Sequence, residues 1–126
     1  MPPGVEVAGA YLAHLLERCA RWAGRIFVAE TGGELAGFVC VWGRVPPEEP
    51  DEAPVAYAYV SDLVVCERHR RRGIGRALMA RAEEYAREQG APRIGIGVLA
   101  RNDGARGLYR SLGFREWQVQ LRKPLA

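Results

Sequence analysis

The residues best suited to chemistry lie in Arg68-His-Arg-Arg-Arg-Gly73-Ile-Gly75-Arg76, where five arginines crowd two glycines just ahead of a run with helical spacing. Glycines at the mouth of a helix leave backbone N–H groups bare and let an anion come close. The helix dipole adds partial positive charge at the same place. The chemistry this allows is capture of a phosphate-bearing ligand, although the same residues could equally form a solvated basic loop. A dinucleotide-binding turn is disfavoured, because Ala77 and Leu78 stand where GxGxxG wants its third glycine. A P-loop is excluded: no GK[ST] follows, and Lys123 is the only lysine.

The elements that must position this turn are legible on either side of it. Tyr57–Val65 is short and rich in Val, Leu and Tyr, as a buried strand is. Gly75 to Gln89 carries Ala77, Leu78, Ala82, Tyr85 and Ala86 at helical spacing, and Gly90 with Pro92 stops the helix. Upstream, Ala8, Tyr11, Leu12, Leu15, Leu16, Cys19 and Trp22 share one face of a helix over 7–23. Arg25–Glu30 and Glu34–Arg44 read as strands around the hairpin signal Thr31-Gly32-Gly33. A proline-rich acidic loop follows over 45–54. Downstream, Arg93–Leu99 reads as a strand whose Gly95 and Gly97 leave one face bare for a ligand or another backbone. A short helix over 102–112 starts at Asn102 or Asp103, and Phe114–Leu121 reads as a closing strand. The expected order is α, β, β, β, α, β, α, β: one α/β domain over 1–126, a mixed sheet with helices packed on its faces.

Composition narrows the classes further. At 126 residues with 48% hydrophobic and 26% charged residues, the chain suits one ordinary globular domain. No apolar run has membrane-spanning length, and Met1-Pro-Pro-Gly4 lacks the features of a signal peptide. Cys19, Cys40 and Cys66 are odd in number and show no CxxC spacing, so they read as reduced thiols of a cytoplasmic protein. His14 has no partner at ligand spacing, and no metal is expected. Net charge is +3, but it is uneven: the arginine turn is opposed by Glu48, Glu49, Asp51 and Glu52 in the acidic loop.

Residues 57–125 contain Leu63-x-Val65, then Arg70-x-x-Gly73-x-Gly75 opening a helix, then Asn102-x-x-Ala105-x-x-x-Tyr109-x-x-x-Gly113-Phe114. In that order and spacing they resemble the GCN5-related N-acetyltransferases (GNAT). The family's first strand would fall in Pro3–Val7 or be absent. The resemblance implies a mixed, mostly antiparallel sheet with splayed parallel central strands and helices on both faces. It implies acetyl-CoA as co-substrate, with its pyrophosphate on Arg70, Arg71, Arg72, Gly73, Ile74, Gly75 and Arg76. The pantetheine arm would pair with the backbone of Leu63 and Val65, a form of β-augmentation, with Val64 between them also among the cofactor-binding residues. Asn102 would hydrogen-bond that arm, with Ala105 beside it; read alone, Asn102 is a helix cap. Tyr109 would protonate the leaving thiolate, whereas read alone it is a core aromatic.

The amine side departs from the family pattern. Relatives place a glutamate where this chain has Tyr59, Ser61 or Gly97. Asp62 is the remaining candidate, as base through water or anchor for a cationic acceptor; read alone it is a strand-end carboxylate paired with an arginine. Cys66 reads as structural, with no cysteine-acetyl intermediate. The activity implied is transfer of acetyl to a primary amine, of a small molecule or a protein, by direct attack in a ternary complex. Two other readings stay open: an acyl-CoA-binding domain without turnover, and an arginine-rich nucleic-acid-binding module. The latter finds no aromatics interleaved with the arginines and leaves the GIG turn unexplained. No membrane partner is expected, and the closing strand is a place where two chains could pair as a homodimer.

Overall fold

The computed structural model of the chain describes residues 16–47 and 54–126. The possible strand at Pro3–Val7, the helix over 7–15 and the acidic residues 48–52 lie outside them. The first helix, α1, reaches the described residues at 16–21 and ends in a turn at Trp22 and Ala23. Three strands follow: β1 (Gly24–Thr31), β2 (Glu34–Val45) and β3 (Tyr57–Val65). Then come a single 3-10 turn (Glu67–His69), helix α2 (Ile74–Glu88), strand β4 (Ile94–Ile96) and helix α3 (Asp103–Ser111).

The sheet order is β1-β2-β3-β4. β1 and β2 form a hairpin because Gly32 and Gly33 both take positive φ, 60° and 79°, the conformation a two-residue turn needs to match strand twist. β2 also pairs antiparallel with β3, whereas β3 and β4 run parallel. β2 is buried on both faces. Val39 and Val41 pack with Val60 against Leu78, Met79, Ala82 and Tyr85 of α2. On the other face Cys40 lies 3.6 Å, sulfur to sulfur, from Cys19 of α1, and the Trp42 ring meets Trp22 edge-on at 4.8 Å. Two cysteines that the sequence separates by 21 residues are therefore neighbours, as free thiols.

α2 ends as its sequence requires. Gly90 turns left-handed, its N–H donates to Arg87 O, and Ala91 N–H donates to Ala86 O, which satisfies the orphan carbonyls of the last turn. No helix among the described residues is long and apolar enough to cross a membrane.

Two expectations are corrected. The strand expected over Arg93–Leu99 is only Ile94–Ile96, and Phe114–Leu121 forms no strand. Alternating apolar residues do not make a strand without a ladder partner. Beyond Gly113 the chain leaves the sheet, so that Trp117 is 84% and Leu121 87% exposed. Among the described residues the observed order is α, β, β, β, α, β, α, with a four-stranded mixed sheet.

Candidate active site

The basic turn connects β3 to α2 through two left-handed residues, Arg71 (φ 65°) and Gly73 (φ 78°). Gly73 is the N-cap of α2 and offers no side chain to close the helix end, and the first turn holds no acidic residue. Among the described residues no protein group accepts the N–H of Arg71, Arg72, Gly73, Ile74, Gly75 or Arg76. Four guanidinium groups surround these open donors, but not all are alike. Arg70 Nε donates to Val65 O at 3.3 Å, and Arg76 Nη2 to Ser111 Oγ at 2.8 Å. Arg71 and Arg72 pair with no carboxylate among the described residues. Arg68, the fifth of the run, is turned away onto Glu34 at 2.7 Å. His69 is buried, with Nε2 3.3 Å from Glu34 Oε2 but out of line for a hydrogen bond.

Next to this turn the sheet opens. β3 and β4 pair only through Ala58↔Ile94, Tyr59↔Gly95 and Val60↔Ile96. From Ser61 onward β3 keeps β2 as partner and, among the described residues, has none on its other edge. The opening is a cleft of about 240 Å³ lined by Tyr59 to Val64 of β3, by Ile96 and Gly97, and by Tyr109 of α3. Backbone donors and acceptors on an unpaired strand edge are available to an extended ligand. α3 is held beside the mouth of α2 by the Arg76–Ser111 bond and by Leu108, whose Cδ2 lies 3.4 Å from where a Cβ on Gly75 would be.

A bulge decides which side chains share the cleft. Cys40 faces Asp62 and Val41 faces Val60, so Ser61 is an extra residue in β3, and its hydroxyl donates to Cys40 O at 3.4 Å. Tyr59 pairs with Trp42 and Asp62 with Cys40. Trp42 and Cys40 are two apart on β2, so Tyr59 and Asp62 project from one face although they are three apart in the sequence. The Tyr59 ring stacks on Trp42 at 5.6 Å and 29°. On β4 a Cβ at Gly95 would come within 3.3 Å of this ring, and one at Gly97, just past the strand, within 3.0 Å of its hydroxyl. The bare face expected at these glycines is thus filled by a side chain, not by a backbone.

The other candidates fall as follows. Leu63 and Val64 line the cleft; Val65 does not, and its carbonyl is taken by Arg70. Tyr109 is half-buried, with its ring edge-on to Phe114 at 5.9 Å. Burial pushes its phenol above the ordinary value of 10.0, so the proton is held firmly at neutral pH. Asn102 caps α3: its Oδ1 accepts the N–H of Ala105 at 3.1 Å, and neither residue borders the cleft. Burial pushes the Cys40 thiol up to about 12, and Cys66 Sγ points to Leu35 O at 3.4 Å, outside the cleft. Tyr59 and Ser61 enter the sequence reading of the site only as positions lacking a carboxylate, and Gly97 as that and as a bare strand position, yet all three line the cleft. The only sequence signal for Tyr59 was an aromatic strand followed by one with alternating glycines.

The family model described as "Acetyltransferase (GNAT) family" matches residues 3–114. The chain is 31% identical to the uncharacterized N-acetyltransferase YycN of Bacillus subtilis, over 68% of this chain and 52% of that protein. It is 36% identical to the streptothricin acetyltransferase of Streptomyces lavendulae, over 71% of this chain and 44% of that protein. The chain therefore spans about half the length of these curated relatives. A solved structure described as a putative acetyl transferase from Pyrococcus furiosus superposes with a TM-score of 0.76 at 30% identity, covering 92% of this chain and 73% of that one.

Proposed function

The chain belongs to the GNAT acetyltransferase family, and on that premise we propose that it moves an acetyl group from acetyl-CoA to a primary amine by direct attack. One observation carries the reading: the unpaired edge of β3 and Tyr109 line one cleft, and α3, which carries Tyr109, is held by the Arg76–Ser111 bond beside the open N–H groups at the start of α2. The residues present fit the co-substrate. Six unaccepted N–H donors at a helix start, with no acid in the first turn, suit a pyrophosphate. The backbone groups of Leu63, which the antiparallel alternation with β2 turns to the open edge, suit an amide-bearing arm. Acetyl-CoA, when bound, supplies the thioester to be cleaved and the thiolate that leaves.

The chain's own groups do the rest. Residues 73–76, with Arg71 and Arg72, hold the diphosphate. The unpaired edge of β3 orients the arm, and its N–H groups face the oxygen where negative charge develops. Asp62 holds a cationic acceptor at the cleft and passes its proton to water, which frees the nitrogen lone pair. As the C–N bond forms and the C–S bond breaks, the Tyr109 hydroxyl gives its proton to the thiolate, then regains one from solvent. Cys40, protonated and buried, takes no part.

A thermal-shift titration with acetyl-CoA, followed by thiol release across a panel of primary amines, tests the proposal. Stabilisation that grows with acetyl-CoA, together with amine-dependent thiol release, is the expected result. Stabilisation without release from any amine would point instead to acyl-CoA binding without turnover.

A further inference from the structure

We propose that Tyr59 is a second functional phenol of this cleft, on the acceptor side: its hydroxyl oxygen accepts a hydrogen bond from the N–H of the incoming amine and turns the nitrogen lone pair toward the thioester. This rests on the transfer reading above and adds to it the residue that places the nucleophile. Four independent observations carry it. Tyr59 lines the same cleft as Asp62 and Tyr109. The Ser61 bulge brings Tyr59 and Asp62 onto one face, so a phenol oxygen and a carboxylate flank the same space. The hydroxyl has no protein partner among the described residues, whereas the buried Tyr85 hydroxyl donates to Ala23 O at 2.6 Å. The ring is also braced, by Trp42 on one side and the bare Gly95 and Gly97 on the other. Trp42 is itself set by Trp22, in the turn that ends α1. A ring held this firmly with its hydroxyl left open presents that oxygen at a fixed point.

Gly97 then acts through Tyr59, as a positioning residue: a methyl group there would sit 3.0 Å from the hydroxyl and displace it. Loss of one hydrogen bond made by the amine should appear in the acceptor terms and leave the cofactor terms alone. Tyr59→Phe is expected to raise KM for the amine about tenfold, with KM for acetyl-CoA within about twofold of wild type. Gly97→Ala is expected to raise the amine KM in the wild-type background and to add nothing in the Tyr59→Phe background, as coupled positions do. An unchanged amine KM and kcat in Tyr59→Phe, an effect confined to acetyl-CoA, or fully additive variants would each overturn the proposal.

A second measurement needs no turnover. In protein carrying ¹³Cζ-tyrosine, the Tyr59 resonance, assigned by its loss in Tyr59→Phe, is titrated with ethylamine in the presence of CoA. A saturable shift supports the assignment, and a resonance indifferent to ethylamine sinks it. Should wild-type protein release no thiol with any amine, the transfer reading fails by itself, and the resonance still decides the role of Tyr59.

Discussion

At the scale of single residues, the cleft holds two phenols and one carboxylate. The Tyr109 proton is retained above the ordinary phenol range because burial disfavours the phenolate. Turnover should therefore hold its plateau past pH ~10, where an exposed phenol ionises, and fall only beyond it. Tyr109→Phe should lower kcat about 10²-fold or more, erase that alkaline limb and leave the acetyl-CoA thermal shift unchanged. A variant turning over at the wild-type rate would remove Tyr109 from the chemistry. Cys40 makes the opposite case. With its thiol raised to about 12 by burial, it should resist iodoacetamide at pH 8 in the folded protein and react only after denaturation, which peptide mass spectrometry can read.

At the scale of elements, the mouth of α2 is the part whose conformation matters most. Gly73 sits at φ 78°, where an L side chain costs about 1 kcal/mol or more. Gly73→Ala should lower the melting temperature modestly and weaken acetyl-CoA binding by a larger factor, because relaxing the strain re-aims the N–H groups; calorimetry measures both. Asn102→Ala should destabilise the protein by about 1 kcal/mol through loss of the cap, seen as a lower urea midpoint. These elements were legible in the sequence because their signals are local. Thr31-Gly32-Gly33 names its own turn, Gly90 with Pro92 names its own stop, and Asn102 caps the helix that begins one residue later. The Ser61 bulge was not legible, since a bulge is a mismatch between two strands and leaves no mark on either alone. The seat of the Tyr59 ring was hidden for the same reason: it takes Trp42 of β2, Gly95 of β4 and Gly97 just beyond it to define it. The closing strand was misread because Trp117, Val119 and Leu121 alternate as a strand does while nothing in the described chain pairs with them.

At the scale of the whole molecule, a core under α2 and a charge focus at its mouth are separable. Met79 is fully buried at the centre of the core, so Met79→Ala should cost about 2–5 kcal/mol of stability by chemical denaturation. It should scarcely alter acetyl-CoA affinity at temperatures where the protein stays folded. The net charge of +3 understates the local field, since Arg70, Arg71, Arg72 and Arg76 are all exposed around one helix start. Raising salt should therefore weaken acetyl-CoA binding while leaving a phosphate-free pantetheine fragment nearly indifferent; equal salt dependence for both would place the phosphates elsewhere.

The brevity of the contact between β3 and β4 has a further consequence. Three residue pairs are few rungs, and a ladder that short frays before the rest of the sheet does. In the ligand-free protein, deuterium should enter the amides of Ile94 and Ile96 well ahead of those in β2. A guest that lends its own amides along β3 takes up rungs the fold leaves vacant, and so quiets the edge it rests on. The protein would then be most at rest while occupied, with each release of product loosening the outermost strand again.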